Sequence, residues 1–236
     1  KKDEDYFEFS VDVDKYYNLN LLSLLNVKYI ASRVPLDDES LELIEKGNTE
    51  FEPGYRIITK YGLSAVFRKE FIEFIWQRIR FNFTTVGNQN LYLNTNYFPR
   101  FFLTKGIKKF SDSATLLQGL ESATEKELRE NAFIEIDELN KGLKIENHFM
   151  HGEVKILKYS PDNIIVEVET DGEAILVSSN TYSRYWDAQI NGKPAEIFKT
   201  DHTLWGLKID KGRSVIEFNY IPPYSLGSLL KKEERY

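Results

Sequence analysis

Apolar and acidic residues alternate at the start of the chain, where Phe7, Phe9, Val11 and Val13 are spaced by Glu8, Asp12 and Asp14. That period of two predicts a strand over residues 6–17 with one solvated face. Leu19, Leu21, Leu22, Leu24 and Leu25 cluster as a short helix that leads into a buried strand over 27–31. Asp37, Asp38, Glu39 and Ser40 stand before Leu41, Leu43 and Ile44, and acid at a helix start is favoured by the backbone dipole. A connector helix is therefore predicted there, stopped by Gly47. Residues 55–60 and 63–68 flank Tyr61-Gly62 as a hairpin. Phe71, Phe74, Ile75 and Ile79 have helical spacing while Phe81 and Phe83 continue as a strand, so 71–83 reads as helix, then strand. Residues 87–90 read as a turn, and Arg100 to Leu103 as a strand that starts after Pro99 rather than containing it. A helix over 113–120, a capping box from Thr124 to Glu127 ahead of a second helix, and a strand over 132–136 complete the first part.

After Gly142 the pattern changes to short alternating runs at the spacing of all-β sandwiches. Strands are predicted over 153–159, 163–169, 173–179, 186–190, 195–199, 203–209 and 214–220. The turns between them include Ser160-Pro161-Asp162, Asp171-Gly172, Asn191-Gly192 and Lys211-Gly212, and Asn-Gly between apolar runs is a strong hairpin signal. The expected fold class is α+β and β-rich: an N-terminal mixed α/β module over 1–147, an antiparallel β-sandwich over 148–223, and a tail over 224–236 leading toward a transmembrane segment.

Composition narrows the function. With 42% hydrophobic residues among 236, the chain can bury a sizeable core. A net charge of -6 and a pI near 5.3 disfavour a broad grip on phosphate backbones, so no nucleic-acid partner is expected. The absence of cysteine removes thiol nucleophiles, thiolate metal sites and disulfides. No apolar run approaches the roughly 18 residues that span a bilayer, and Lys1 to Asp5 do not resemble a signal peptide. The sole methionine is Met150, which suggests a fragment of something longer.

Candidate chemistry is sparse. His148 and His151 are three apart but lack further ligands for a metal. Asp12 with Asp14, and Glu167 with Glu169, read as solvated strand faces. There is no phosphate loop, serine elbow or HExxH, so neither catalytic residues nor a metal or cofactor are expected. Tyr182, Tyr185, Trp186 and Trp205 form an aromatic group on which sugar rings could stack; packing between sheets is the competing reading, the usual fate of a Trp at the start of a sandwich strand. Phe71, Phe74, Ile75 and Trp76 are interleaved with Arg78 and Arg80, a basic aromatic stretch that suits a bilayer interface. Filling the core of the first module is the favoured reading there, as for most aromatic-rich stretches, with the bilayer interface as the alternative.

Several segments carry a resemblance. Leu21-Leu22-Ser23-Leu24-Leu25-Asn26-Val27-Lys28-Tyr29-Ile30, Phe98-Pro99-Arg100-Phe101-Phe102 and Tyr159-Ser160-Pro161-Asp162-Asn163-Ile164-Ile165-Val166-Glu167-Val168 are similar to segments of the YfhO-type bacterial membrane proteins. So are Leu176 to Tyr182, Trp186-Asp187-Ala188, Asn191-Gly192-Lys193, Lys211 to Phe218 and Tyr220-Ile221-Pro222. Where the family has Gly before Trp, this chain has Tyr185. The resemblance leaves out roughly the first 15 residues and 71–96, which look like an insertion. It implies a polytopic parent of GT-C-like glycosyltransferase type that moves sugar from a polyprenyl-phosphate donor to a cell-envelope glycan, with this chain as its extracytoplasmic, non-catalytic part. The implied partners are the transmembrane part of the same parent and an envelope glycan or lipid-linked sugar. A free-standing carbohydrate-binding or adhesive module is the alternative, distinguished by whether apolar runs of about 20 residues lie upstream.

Overall fold

The computed structural model describes residues 11–12, 17–32, 35–46, 69, 72, 76, 89–137 and 140–222. Contacts divide the chain into two compact units, one of residues 1–19 with 27–96 and one of residues 20–26 with 97–236.

In the first unit, β1 (Val11–Asp12) lies parallel to β3 (Leu36–Asp37). A three-stranded antiparallel sheet has β5 (Asn90–Asn94) at its centre, between β2 (Tyr29–Ser32) and β4 (Leu41–Glu45). The helix expected at Leu41 is thus a strand. Asp38 does not cap a helix: its Oδ1 accepts from Ser40 N at 2.7 Å, and Leu41 N donates to Asp38 O at 3.1 Å. The chain turns there and pairs Leu43 with Tyr92 across the sheet. Cross-strand pairing decides over a weak helical signal. The strand read as buried is half-exposed, with Tyr29 54% accessible. Asn90, placed in a turn by its sequence, instead opens β5. The hairpin over 55–68 and nearly all of the 71–83 segment lie outside the described residues.

The second unit holds the sandwich. Its five-stranded sheet runs in the order β13 (Lys193–Ala195), β12 (Trp186–Ile190), β16 (Gly212–Tyr220), β10 (Asn163–Thr170), β9 (Gly152–Tyr159). Its four-stranded sheet runs β14 (Phe198–Thr200), β15 (Leu204–Ile209), β11 (Ala174–Thr181), β6 (Phe101–Thr104). Every pairing in these two sheets is antiparallel. Asn191 and Gly192, with φ of 50° and 77°, make the hairpin turn that needs two left-handed residues. Residues 195–199, read as one strand, are divided: Lys193–Ala195 ends in one sheet and Phe198–Thr200 begins in the other. Ile197 packs toward the inter-sheet core and Phe198 toward the core on the opposite side.

The inter-sheet core is built by Val166, Val168, Ile216 and Phe218 from one sheet and Phe101, Leu176, Trp205, Leu207 and Ile209 from the other. The four-stranded sheet is covered on its second face too. There Ile175, Val177 and Leu204 meet Leu24 of α1 (Leu19–Leu24), Leu116 and Leu120 of α2 (Ser113–Glu121), and Leu128 of α3 (Glu125–Glu130). Phe133 and Ile134 of β8 (Asn131–Glu135) join them. β8 is paired in parallel with β7 (Gly106–Phe110), and the two helices form the crossover that a parallel pair requires.

Both helices start as their sequences direct. Asp112 accepts from Thr115 N at 2.9 Å, which holds its carboxyl below the ordinary range. Thr124 and Glu127 form the reciprocal capping box, and Glu127 also receives Lys108 Nζ at 2.6 Å. Among the described residues, no helix is long and apolar enough to cross a membrane.

β6 is the strand whose membership in the sandwich is least visible in the pattern, and Phe101 at 3% exposure carries it into the inter-sheet core. Phe101→Ala is expected to lower stability by about 3–5 kcal/mol, measured by urea unfolding followed by tryptophan fluorescence. A loss below about 1 kcal/mol would show that β6 is not integral.

Candidate functional site

The aromatic group predicted by sequence is brought together at one end of the sandwich, graded from core to surface. Trp205 is 2% exposed. Its ring lies 5.3 Å from Phe218, which stacks in turn on Phe101 at 5.9 Å. Trp205 Nε1 donates to Thr181 O at 2.9 Å, satisfying the one polar atom that a buried indole brings with it. No face of Trp205 is open to a ligand.

Trp186 is half-buried and tilts against Trp205 at 4.9 Å. On its other side stands Tyr220, its cross-strand partner, at 5.4 Å. Tyr185 meets Tyr220 edge-on at 6.5 Å, and the Arg184 guanidinium lies 5.4 Å from the Tyr185 ring centre. Tyr182 is half-buried against the inter-sheet core. Tyr185 is held from both sides: its carbonyl accepts from Ile221 N at 2.7 Å, and its N–H donates to Ser183 Oγ at 3.4 Å.

The half-buried rings are therefore Tyr182, Tyr185, Trp186 and Tyr220. Tyr220 was not selected from the sequence, although Phe218 and Tyr220 share a strand face by their spacing of two. The signal that would have found it is the register of β16 against β12.

The other candidates are dispersed. Trp76 is 67% exposed and helical, as is Ile72 at 50%; Phe71, Phe74, Ile75, Arg78 and Arg80 lie outside the described residues. His151 Nδ1 lies 3.2 Å from Asp171 Oδ2, and Asp171 Oδ1 accepts from Met150 N at 2.8 Å and His151 N at 3.0 Å. These contacts hold the Asp171 carboxyl at about 2, with the two backbone donors as the main cause. His148 forms an isolated bridge with Glu173. Glu173 is also held at about 2, chiefly by Lys208 at 2.8 Å. Among the described residues, no group of three or more His, Asp or Glu is placed to hold a metal ion. Glu167 is paired with Arg213, Oε2 to Nη2 at 2.5 Å, and Glu169 is exposed. Asp12 falls in β1, and Asp14 lies outside the described residues.

One titratable group was missed altogether. Asp201 is 5% exposed, and its carboxyl is pushed up to about 7 by burial, against the lowering effect of hydrogen bonds from Phe133 N and Thr200 Oγ1. An Asp-His pair between two predicted strands reads as an ordinary turn, and nothing in the local sequence shows that the turn is buried against β8.

Fold and site define a β-sandwich module backed by a helical layer, whose surface chemistry at this end is aromatic. Residues 122–230 match the family model described as Bacterial membrane protein YfhO, so over that stretch the chain carries the pattern that its segments resemble. Protein YfhO of Bacillus subtilis (strain 168), itself uncharacterized, is 44% identical to this chain over 43 residues. That alignment covers 18% of this chain and 5% of the relative's length. No solved structure matches the chain.

Because Trp205 fills the inter-sheet core and its N–H is spent on Thr181, Trp205→Ala is expected to lower stability by about 3–5 kcal/mol. Chemical denaturation of the purified chain measures this. A variant as stable as the parent would show that the ring is not part of the core.

Proposed function

We propose that this chain is a non-catalytic, extracytoplasmic module of a polytopic membrane glycosyltransferase, and that it positions the acceptor glycan or braces the membrane part. The parent would move sugar from a polyprenyl-phosphate donor to a cell-envelope glycan; this part of the reading rests on the family resemblance. The observation that carries the chain's own role is the aromatic end of the sandwich. Tyr182, Tyr185, Trp186 and Tyr220 are half-buried, so each keeps part of its surface open while its body is fixed by packing.

A sugar ring has an apolar face that packs on phenol or indole, and a ring locked beforehand loses little conformational freedom when the sugar arrives. Trp186 is the centre of the group, with Trp205 behind it and Tyr220 beside it. Arg184, next to Tyr185, adds a cation suited to the phosphate of a polyol-phosphate acceptor.

Titration with teichoic-acid-type glycan fragments is expected to quench tryptophan fluorescence saturably. Trp186→Ala should abolish the quench while the variant remains folded by circular dichroism. The chain alone should show neither glycosyl transfer nor glycosidase turnover. An unchanged affinity in folded Trp186→Ala would remove the aromatic end as the binding surface, and turnover lost on replacing one carboxylate would overturn the non-catalytic assignment.

A further inference from the structure

The hairpin joining β14 to β15 turns through Asp201, His202 and Thr203. Asp201 and His202 both take left-handed backbone conformations, at φ of 47° and 68°, which are uncommon for L-residues and in which Asn, Asp and His are enriched. Thr203 N closes the turn onto Asp201 O at 2.9 Å and Thr203 O accepts from Tyr182 N at 2.6 Å, while a set of contacts to one residue of β8 ties the turn to that strand. Asp201 N donates to Phe133 O at 2.7 Å, and Phe133 N donates to Asp201 Oδ1 at 3.0 Å. Thr200 Oγ1 lies 3.2 Å from Phe133 O and 3.2 Å from Asp201 Oδ2.

A threonine hydroxyl carries one proton. If it donates to Phe133 O, its lone pairs face Asp201 Oδ2, and that contact is a hydrogen bond only when the carboxyl supplies a proton of its own. The neutral acid satisfies every atom: Oδ2–H donates to Thr200 Oγ1, Thr200 donates to Phe133 O, and Phe133 N–H donates to Oδ1. The carboxylate keeps its two acceptor bonds by drawing the threonine proton away from Phe133 O, which is left with Asp201 N as its one donor. That form is a buried negative charge facing no cation among the described residues, which is strongly disfavoured.

Among the described residues, the lysines of the neighbouring strands are engaged elsewhere. Lys199 of β14 lies 4.0 Å from Glu135 of β8. Lys108 of β7 binds Glu127 of α3 at 2.6 Å, and Lys208 of β15 binds Glu173 at 2.8 Å. His202 stands in the turn itself with its Nδ1 buried and unpartnered. Burial raises the Asp201 carboxyl against the hydrogen bonds from Phe133 and Thr200, which lower it.

We propose that Asp201 is carried as a neutral carboxylic acid that latches the β14–β15 turn onto β8 through Thr200 and Phe133, and that loss of this proton is a pH switch releasing the turn. Phe198 and Leu204, which flank it, both belong to the core beneath the helices. Release of the turn therefore loosens the helical side of the four-stranded sheet.

The direction of the pH effect follows from the proton count. The folded carboxyl titrates near 7 and an ordinary one at 3.8, so between those values the folded chain keeps a proton that the unfolded chain has lost. The stabilisation is fully present below the ordinary value and disappears as pH rises through about 7, by roughly tenfold in the folding equilibrium constant per pH unit. The carboxyls held at about 2, those of Glu127, Asp171 and Glu173, titrate below this window and have the opposite slope.

Carbon-13 NMR of the 236-residue chain, labelled at aspartate side-chain carboxyls, is the direct test. One carboxyl is expected to titrate roughly three pH units above the ordinary value, with the Phe133 and Asp201 amide signals shifting at the same midpoint. If every aspartate titrates below pH of about 5, the proposal is wrong. Urea unfolding across the same pH range supplies the second arm. Asp201→Asn, whose amide can donate to Thr200 and accept from Phe133, should remove the downward slope between about pH 4 and 7 and be the more stable protein above neutrality. A variant keeping the wild-type slope would refute the latch; should it fail to fold, the wild-type NMR titration decides alone.

Discussion

The strand β11 sets the terms for the rest of the second unit. Its residues Ala174 to Ser178 are buried without interruption, so both faces of the sheet must be covered. Leu176 points into the inter-sheet core, while Ile175 and Val177 point into the core beneath the helices. A two-layer sandwich leaves one of those faces in water, and the helical layer removes that exposure. The apolar area involved, at about 25 cal/mol per Å², makes the third layer part of the fold rather than an appendage. Gly206 on the neighbouring strand serves the same crowded face: a Cβ there would collide with the Phe198 ring.

Where local chemistry alone decides the backbone, the sequence was easy to read. The capping box from Thr124 to Glu127, the Asn191-Gly192 turn and the alternating runs that became β9, β10 and β16 are all local signals, and the structure has them where the pattern put them. Where a distant partner decides, the pattern failed. Leu41 to Glu45 became a strand because β5 was available to pair with it. Residues 195–199 were split because two sheets compete for adjacent residues, and β7 was missed because its Lys-Lys interior conceals a pairing made across two helices. The aromatic group was legible as a group, but the division of labour within it was not. That Trp205 is sealed while Trp186 keeps an open part depends on which strand each ring stands on.

That division ties the surface to the core. From Phe101 through Phe218 and Trp205 to Trp186 and Tyr220 the rings are in successive contact. A ring at the surface end is thus braced by rings that cannot move without opening the inter-sheet core, which is a stiffer arrangement than an aromatic side chain on a mobile loop offers. The five-stranded sheet ends on its other side in β9, where Lys155, Lys158 and an irregularity opposite Ile165 and Val166 interrupt the exposed edge. Those are devices by which natural sheets discourage further strands from adding.

The recruitment of β6 separates two notions of a domain. The stretch matched by the family model begins at residue 122, yet the strand beside β11 lies at Phe101–Thr104, and α2 and β7 also lie before that boundary. A gene cut at that boundary would encode a protein with β11 as a bare, strongly apolar sheet edge and without α1 and α2, two of the three helices that cover it. Such an edge is a template for pairing with other copies of itself, so aggregation is the expected outcome for the shortened product. The stretch that the family model matches and the stretch that builds the sandwich therefore have different starting points, and the earlier one governs any attempt to transplant this module.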